Sequence, residues 1–313
     1  MKKYLPYIFL IFVLFLPLIF KTRPSLIGYF NIVLILGISA QGLNLLLGIA
    51  GQISLGHAAF MAIGGYTSAI LVMNYNYPFI LAMICGILLS ALFGLIIGFP
   101  SLRLKGFYLA IATMALGSVV QDIIKRLKIT GGDHGLRNIP SIKIFGYEFA
   151  SNTSRFYLIL ALFLVIIFIS RNFVKSRSGK SLIAMRDSEY GALTVGVNIT
   201  KAKLLAFVLS SSFAGLSGVL YAHTISYLHP MNFGLALSVE LLAIIIIGGI
   251  ATLWGPILGA FMWIILPLVI GSRFEMLSNV FFGIAVILVV LFLPRGLSEI
   301  IYKLRESLKF HNE

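Results

Sequence analysis

Apolar runs of about twenty residues recur along the whole 313-residue chain, and no other property restricts its fold so tightly. A helix rises about 1.5 Å per residue, so roughly twenty residues cross the ~30 Å hydrocarbon core of a bilayer. The runs are Tyr4–Phe20, Leu26–Ile49, Ile53–Met73, Pro78–Phe99, Phe107–Ile124, Phe156–Ser170, Leu204–Leu228, Leu235–Ile250, Pro256–Ile270 and Asn279–Leu293. Hydrophobic residues make up 59% of the chain and charged residues 11%, with a mean hydropathy of +1.03. A soluble globular domain, in which about a quarter of residues are charged, is excluded. The expected fold class is all-α: one polytopic membrane domain over residues 1–313, with about 8–10 transmembrane helices, some short or Gly-broken. Lys2 and Lys3 before Tyr4–Phe20 resemble the start of a signal peptide, but no small-x-small cleavage site follows and further spans do. An uncleaved first helix is expected.

The net charge of +14 could suggest nucleic acid, but the basic residues sit in short loops between spans. Positive-inside topology and contact with anionic membrane lipid account for them, and no nucleic acid partner is expected. With the amino terminus inside, Arg103, Lys105, segment 171–203 and the basic tail after Arg295 face the cytoplasm. Loop 125–155 then lies outside the cytoplasm and, with six Lys/Arg, runs against the charge bias. The single Cys85 excludes a disulfide framework and a Cys-based metal site. No metal and no cofactor is expected.

Segment 171–203 is a polar island between apolar spans. It carries seven Lys/Arg against Asp187 and Glu189, so it cannot cross the bilayer and belongs in the cytoplasm. Ser181–Tyr190 has helix-compatible composition, with Leu182, Met185 and Glu189 at three-to-four spacing, and Gly191 and Gly196 mark stops. Asn198 or Thr200 can cap the span that follows. A short helix bearing Arg186, Asp187 and Glu189 suits a partner's groove; a solvated interhelical loop is the plain alternative. Gly179-Lys180-Ser181 imitates the end of a Walker A loop. The motif needs a Gly five positions earlier, where Val174 stands, and a leading strand. ATP is therefore not bound by that route.

Residues 41–68 differ from the other spans. Gln41, Asn44, Gln52, Ser54 and His57 lie at membrane depth among six glycines, and polar groups facing lipid are costly. Two readings fit: glycines that let helices pack closely, or a broken helix whose freed backbone groups face a water-filled path. The second assigns Gln41, Asn44, Gln52, Ser54 and His57 to a translocation pathway. Loop 125–155 opens with the turn-rich Thr130–Leu136, which lacks the strand and helix of a phosphate cradle and reads as a structured extramembrane loop. No catalytic constellation is evident, so an enzyme is disfavoured. An ion-coupled secondary transporter would need a mid-span carboxylate, and Asp122 and Glu240 lie near span ends.

Ala184-Met185-Arg186-Asp187-Ser188-Glu189, Gly196-Val197-Asn198 and Lys203-Leu204-Leu205-Ala206-Phe207 resemble the cytoplasmic coupling region of ABC importer permeases for branched-chain amino acids. The runs Gly51–Phe60, Leu102–Tyr108, Thr130-Gly131-Gly132, Ile247-Gly248-Gly249 with Gly255-Pro256, and Leu293–Leu297 agree in order and spacing. The resemblance covers roughly residues 26–298, is greatest to the LivM type, and departs from the usual Ile at Met185. It implies a multi-pass inner-membrane subunit, not itself an enzyme, that pairs with a LivH-like second permease. Two cytoplasmic ATPase subunits and a periplasmic or lipid-anchored substrate-binding protein complete the importer it implies. Leu182, Met185, Arg186, Asp187 and Glu189 would form the ATPase-coupling element. Urea, short amides or a sugar remain alternative cargoes of that architecture.

Overall fold

The computed structural model describes residues 24–104 and 106–271, with Pro17, Gly283, Leu291 and residues 296–299. The expected spans Tyr4–Phe20 and Asn279–Leu293 lie almost wholly outside the described residues. Among the described residues six helices are long and apolar enough to cross a membrane: α1 (Pro24–Asn44, continued by a π turn over Leu45–Ile49), α2 (His57–Tyr75), α3 (Phe79–Ser101), α4 (Phe107–Arg126), α5 (Asn152–Lys175) and α8 (Ile199–Ile225). Two shorter apolar helices follow, α9 (Leu235–Gly248) and α10 (Gly255–Gly271). Between α5 and α8 lie two polar helices, α6 (Arg177–Asp187) and α7 (Glu189–Thr194).

The helices alternate in direction, and their ends sort into two faces. On one face, the starts of α1 and α5 meet, where Asn31 Nδ2 donates to the Asn152 carbonyl at 3.1 Å. The long loop 127–151 lies on that face as well. Its β1 (Leu136–Arg137) pairs antiparallel with β4 (Tyr227–Leu228), and β2 (Lys143–Ile144) pairs with β3 (Tyr147–Glu148). The expected structured loop is thus present, held to the end of α8 by His223 Nδ1 against the Pro140 carbonyl at 2.8 Å. The opposite face carries the end of α1 together with α6 and α7.

Helix α8 is the centre of the bundle, packed by α1, α2 and α3. Bare backbone makes the contacts. A Cβ on Gly64 would overlap the Gly215 carbonyl, one on Gly218 the Met61 carbonyl, and one on Gly94 the Ser211 side chain. In hydrocarbon, where apolar side chains gain little by leaving lipid, such close approach is what holds helices together. The outward faces of α3 and α5 keep Leu88, Leu92, Ile96, Val165 and Phe168 exposed, as suits lipid.

Two interruptions fall at gaps between expected spans, the first of them longer than expected. Residues 50–56 are not helical, so α2 starts at His57 rather than Ile53. The chain turns at Gly51, whose φ of +70° falls where side chains are strained. It then passes α4 without helical structure, where the Leu55 amide donates to Thr113 Oγ1 at 3.0 Å. Non-helical backbone at this depth survives only where protein satisfies it. The second interruption, 249–254, ends α9 after 14 residues, about 21 Å of helix and too short for the hydrocarbon core. Gly249 (φ +118°) and Ala251 (φ +61°) turn the chain into α10.

Gly218→Ala tests the packing at the centre. The variant is expected to lose about 1–3 kcal/mol of stability, the usual cost of overpacking, seen as a lower unfolding midpoint in detergent. An unchanged midpoint would contradict backbone contact between α8 and α2.

Candidate functional site

The polar island folds as a helix–break–helix. Ser176 caps α6, its Oγ accepting from the Gly179 amide at 3.2 Å, which places Gly179-Lys180-Ser181 in a first helical turn. The expected stop at Gly191 is instead at Ser188: its extended backbone (φ −160°, ψ 112°) breaks the helix, and its Oγ accepts from the Gly191 amide at 3.0 Å to start α7. Gly191 is therefore inside α7. The stop at Gly196 holds, with φ +80°, and Asn198 rather than Thr200 caps α8, accepting from the Lys201 amide at 3.0 Å.

The five candidate coupling residues divide by direction. Leu182 and Met185 are buried and fasten α6 to the membrane helices. Glu189 turns inward, where it meets Lys203 Nζ at 2.7 Å. Lys203 is only 3% exposed, an ammonium one turn into a membrane helix that would be untenable without this carboxylate. Asp187 is exposed and takes Arg186 Nε and Nη2 on one oxygen, at 3.1 and 2.9 Å. The third contact of Arg186 leaves the segment: Nη1 donates to the Gly48 carbonyl at 2.7 Å. That carbonyl lies in the π turn at the end of α1, where a helix leaves backbone acceptors free. Gly51 has no room for a side chain here, since a Cβ would come within 2.7 Å of Arg186 Cγ.

These residues ring a recess of about 380 Å³, lined by Gly51, Gln52, Leu104, Met185, Arg186, Glu189 and Lys203 among others. It brings one of the candidate pathway residues, Gln52, beside the candidate coupling residues. The other four sit deeper and are buried among the helices. Asn44 hydrogen-bonds the second interruption, accepting from Ala251 N–H and donating to the Thr252 carbonyl, both at 2.8 Å. His57 Nε2 lies 3.1 Å from the Ser39 carbonyl. Gln41 Oε1, Ser54 Oγ and both amide atoms of Gln52 are buried without a partner, as expected of groups that hold water or await one. Gly56 is pressed against α4, where a Cβ would overlap the Thr113 carbonyl.

Sequence reasoning missed three things here. Tyr190, Leu193 and Val195 form an exposed apolar patch, 80%, 55% and 76% accessible, beside Asp187 on the outward side of α7. The signal was available: a charge-free run, Tyr190–Val195, sits inside a polar segment that otherwise carries charge every few residues. The partner of Lys203 was missed too, although a lysine inside a span calls for one. Nothing local to Arg186 marks Gly48, 138 residues away.

Comparison with known proteins follows the same outline. The family model described as "Branched-chain amino acid transport system / permease component" matches residues 25–291. The chain is 32% identical over 290 residues, 85% of its own length and 67% of the other's, to the high-affinity branched-chain amino acid transport system permease protein LivM of Salmonella typhimurium. It is likewise 32% identical over 291 residues, with the same shares, to LivM of Escherichia coli K12. A more distant relative, 27% identical over 224 residues, 68% of this chain and 65% of the other, is the fructose import permease protein FruG of Bifidobacterium longum.

The Lys203–Glu189 pair can be weighed by a double-mutant cycle in detergent unfolding. Glu189→Gln leaves a buried ammonium without countercharge and is expected to cost about 3 kcal/mol, while Glu189→Gln with Lys203→Met recovers most of it. Additive losses in the double variant would contradict the pairing.

Proposed function

Because the chain belongs to the family of branched-chain amino acid transport system permease components, we propose that it is the LivM-like membrane subunit of an ABC importer that carries branched-chain amino acids into the cell. It is a multi-pass inner-membrane protein, a transport component rather than an enzyme. A LivH-like second permease, two cytoplasmic ATPases and a periplasmic or lipid-anchored binding protein complete the importer, and ATP is hydrolysed in the partners. The single observation that carries the mechanism is the Arg186 contact, from the cytoplasmic helix α6 to the interrupted end of α1.

Helices α6 and α7 are the coupling element. Leu182, Met185 and the Glu189–Lys203 pair fix the element to the membrane helices, so its outward face can be pushed without detaching. Tyr190, Leu193 and Val195 with Asp187 present the surface that an ATPase groove covers, an apolar centre beside a charge, as docking surfaces commonly have. Movement of the ATPases on ATP binding shifts α6, and Arg186 carries that shift to Gly48 and the interruption at 50–56. Residues 41–57 then rearrange, and Gln52 and Ser54, buried and without partners, gain access to the path as it opens. Fructose as cargo, which FruG's name gives for that protein, is the second reading; the greater likeness to the LivM proteins favours branched-chain amino acids.

Two outcomes test this reading in the importer reconstituted with all its subunits. Arg186→Ala with Asp187→Ala is expected to leave ATPase turnover running while leucine uptake falls at least about tenfold, a loss of about 1.4 kcal/mol of coupling; normal uptake would refute the assignment. Tyr190→Asp with Leu193→Asp is expected to weaken ATPase association by about 2 kcal/mol or more, as loss of buried interface anchors does. Undiminished co-purification of the ATPase would place docking elsewhere.

A further inference from the structure

The two interruptions are tied to each other by one side chain. Asn44 ends the α-helical part of α1, is 2% exposed, and uses both ends of its amide on residues 207 and 208 positions away. Its Oδ1 accepts from Ala251 N–H and its Nδ2 donates to the Thr252 carbonyl, each at 2.8 Å. Both partners belong to backbone that no helix serves. Ala251 holds a left-handed φ of +61°, a conformation that surroundings must impose on a residue with a side chain. Thr252 braces the turn from within, its Oγ1 donating to the Gly249 carbonyl at 2.7 Å and accepting from Gly255 N–H at 3.1 Å. Gly48, one turn beyond Asn44, lies so close that a Cβ would come within 2.6 Å of both Ala251 N and Asn44 Oδ1. From the other side, Leu297 N–H donates to the Ile247 carbonyl at 2.8 Å.

We infer that Asn44 is a positioning residue, a clasp that makes the second interruption move with the first. Gly48 receives Arg186 through its carbonyl and packs on Ala251 through its missing Cβ. A displacement of α6 therefore passes from Arg186 to the π turn of α1, and through the Asn44 amide to the turn between α9 and α10. A planar amide held at both ends fixes orientation as well as distance. At a site this buried, separating the two interruptions would leave an amide N–H and a carbonyl without their partners, which is costly. The inference rests on α6 being the element that the ATPases move.

The test uses the complete importer in lipid vesicles, with Cys85→Ser as background and spin labels on introduced cysteines. Phe145→Cys, on the exposed hairpin of the opposite face, is the reference; Ser178→Cys reports α6 and Ile250→Cys the second interruption. In the protein with Asn44 present, both distances from 145 are expected to change when a non-hydrolysable ATP analogue is added. Asn44→Leu, similar in size but without the amide, is expected to keep the change at 178 and lose it at 250, with uptake per ATP falling roughly tenfold. If Asn44→Leu does not assemble, Asn44→Asp, which keeps the size and the acceptor for Ala251, is expected to reduce the change at 250 alone. A full response at 250 in either variant overturns the clasp. Absence of any response at 178 with Asn44 present overturns the coupling role of α6, and the clasp with it.

Discussion

Hydrocarbon offers a backbone amide no partner, so every place where a membrane helix stops must be satisfied by the protein itself. Among the described residues two such stops fall within the bundle, at 50–56 and at 249–254, and the close-packed glycines and buried amides beside them support those stops. Thr113 serves the first, Asn44 the second, and Arg186 reaches in from α6 to the carbonyl at Gly48. A fully helical bundle would be simpler and stronger. Interruption makes sense in a protein that must change the arrangement of its helices, since a break concentrates bending where few backbone bonds are lost.

The rigid part of the molecule explains why such motion need not unfold it. Around α8 the helices touch through Gly64, Gly94, Gly215 and Gly218, leaving little freedom for sliding. The polar island is fixed at two points of different kind: apolar burial of Leu182 and Met185, and the Lys203–Glu189 pair. An ion pair sheltered at the membrane edge is weakly screened by salt, so this attachment should hold at physiological ionic strength. On the outward side of the island Tyr190, Leu193 and Val195 remain exposed and apolar.

Much of this was legible in the sequence, because hydropathy and charge act locally. The long spans, the polar island with its helical content, and the stop at Gly196 follow from residue order alone. The ends of elements were less legible: Ser188 breaks the island helix through its own backbone, while Gly191, a plausible breaker, lies within α7. The roles of polar residues in 41–57 were least legible. Asn44 looks like a pathway residue from its position in an apolar run, and only the fold shows that its amide is committed to Ala251 and Thr252. Arg186 and Gly48 are 138 residues apart, and no local pattern links them.

The central claim is that the permease moves its cargo only when driven through its cytoplasmic face by ATPase partners. Radiolabelled leucine uptake into vesicles, measured with and without the ATPase subunits at matched proton gradients, tests it most directly. The account predicts uptake that requires both the ATPases and ATP and is indifferent to the gradient. Uptake driven by the gradient alone, without the ATPases, would contradict it.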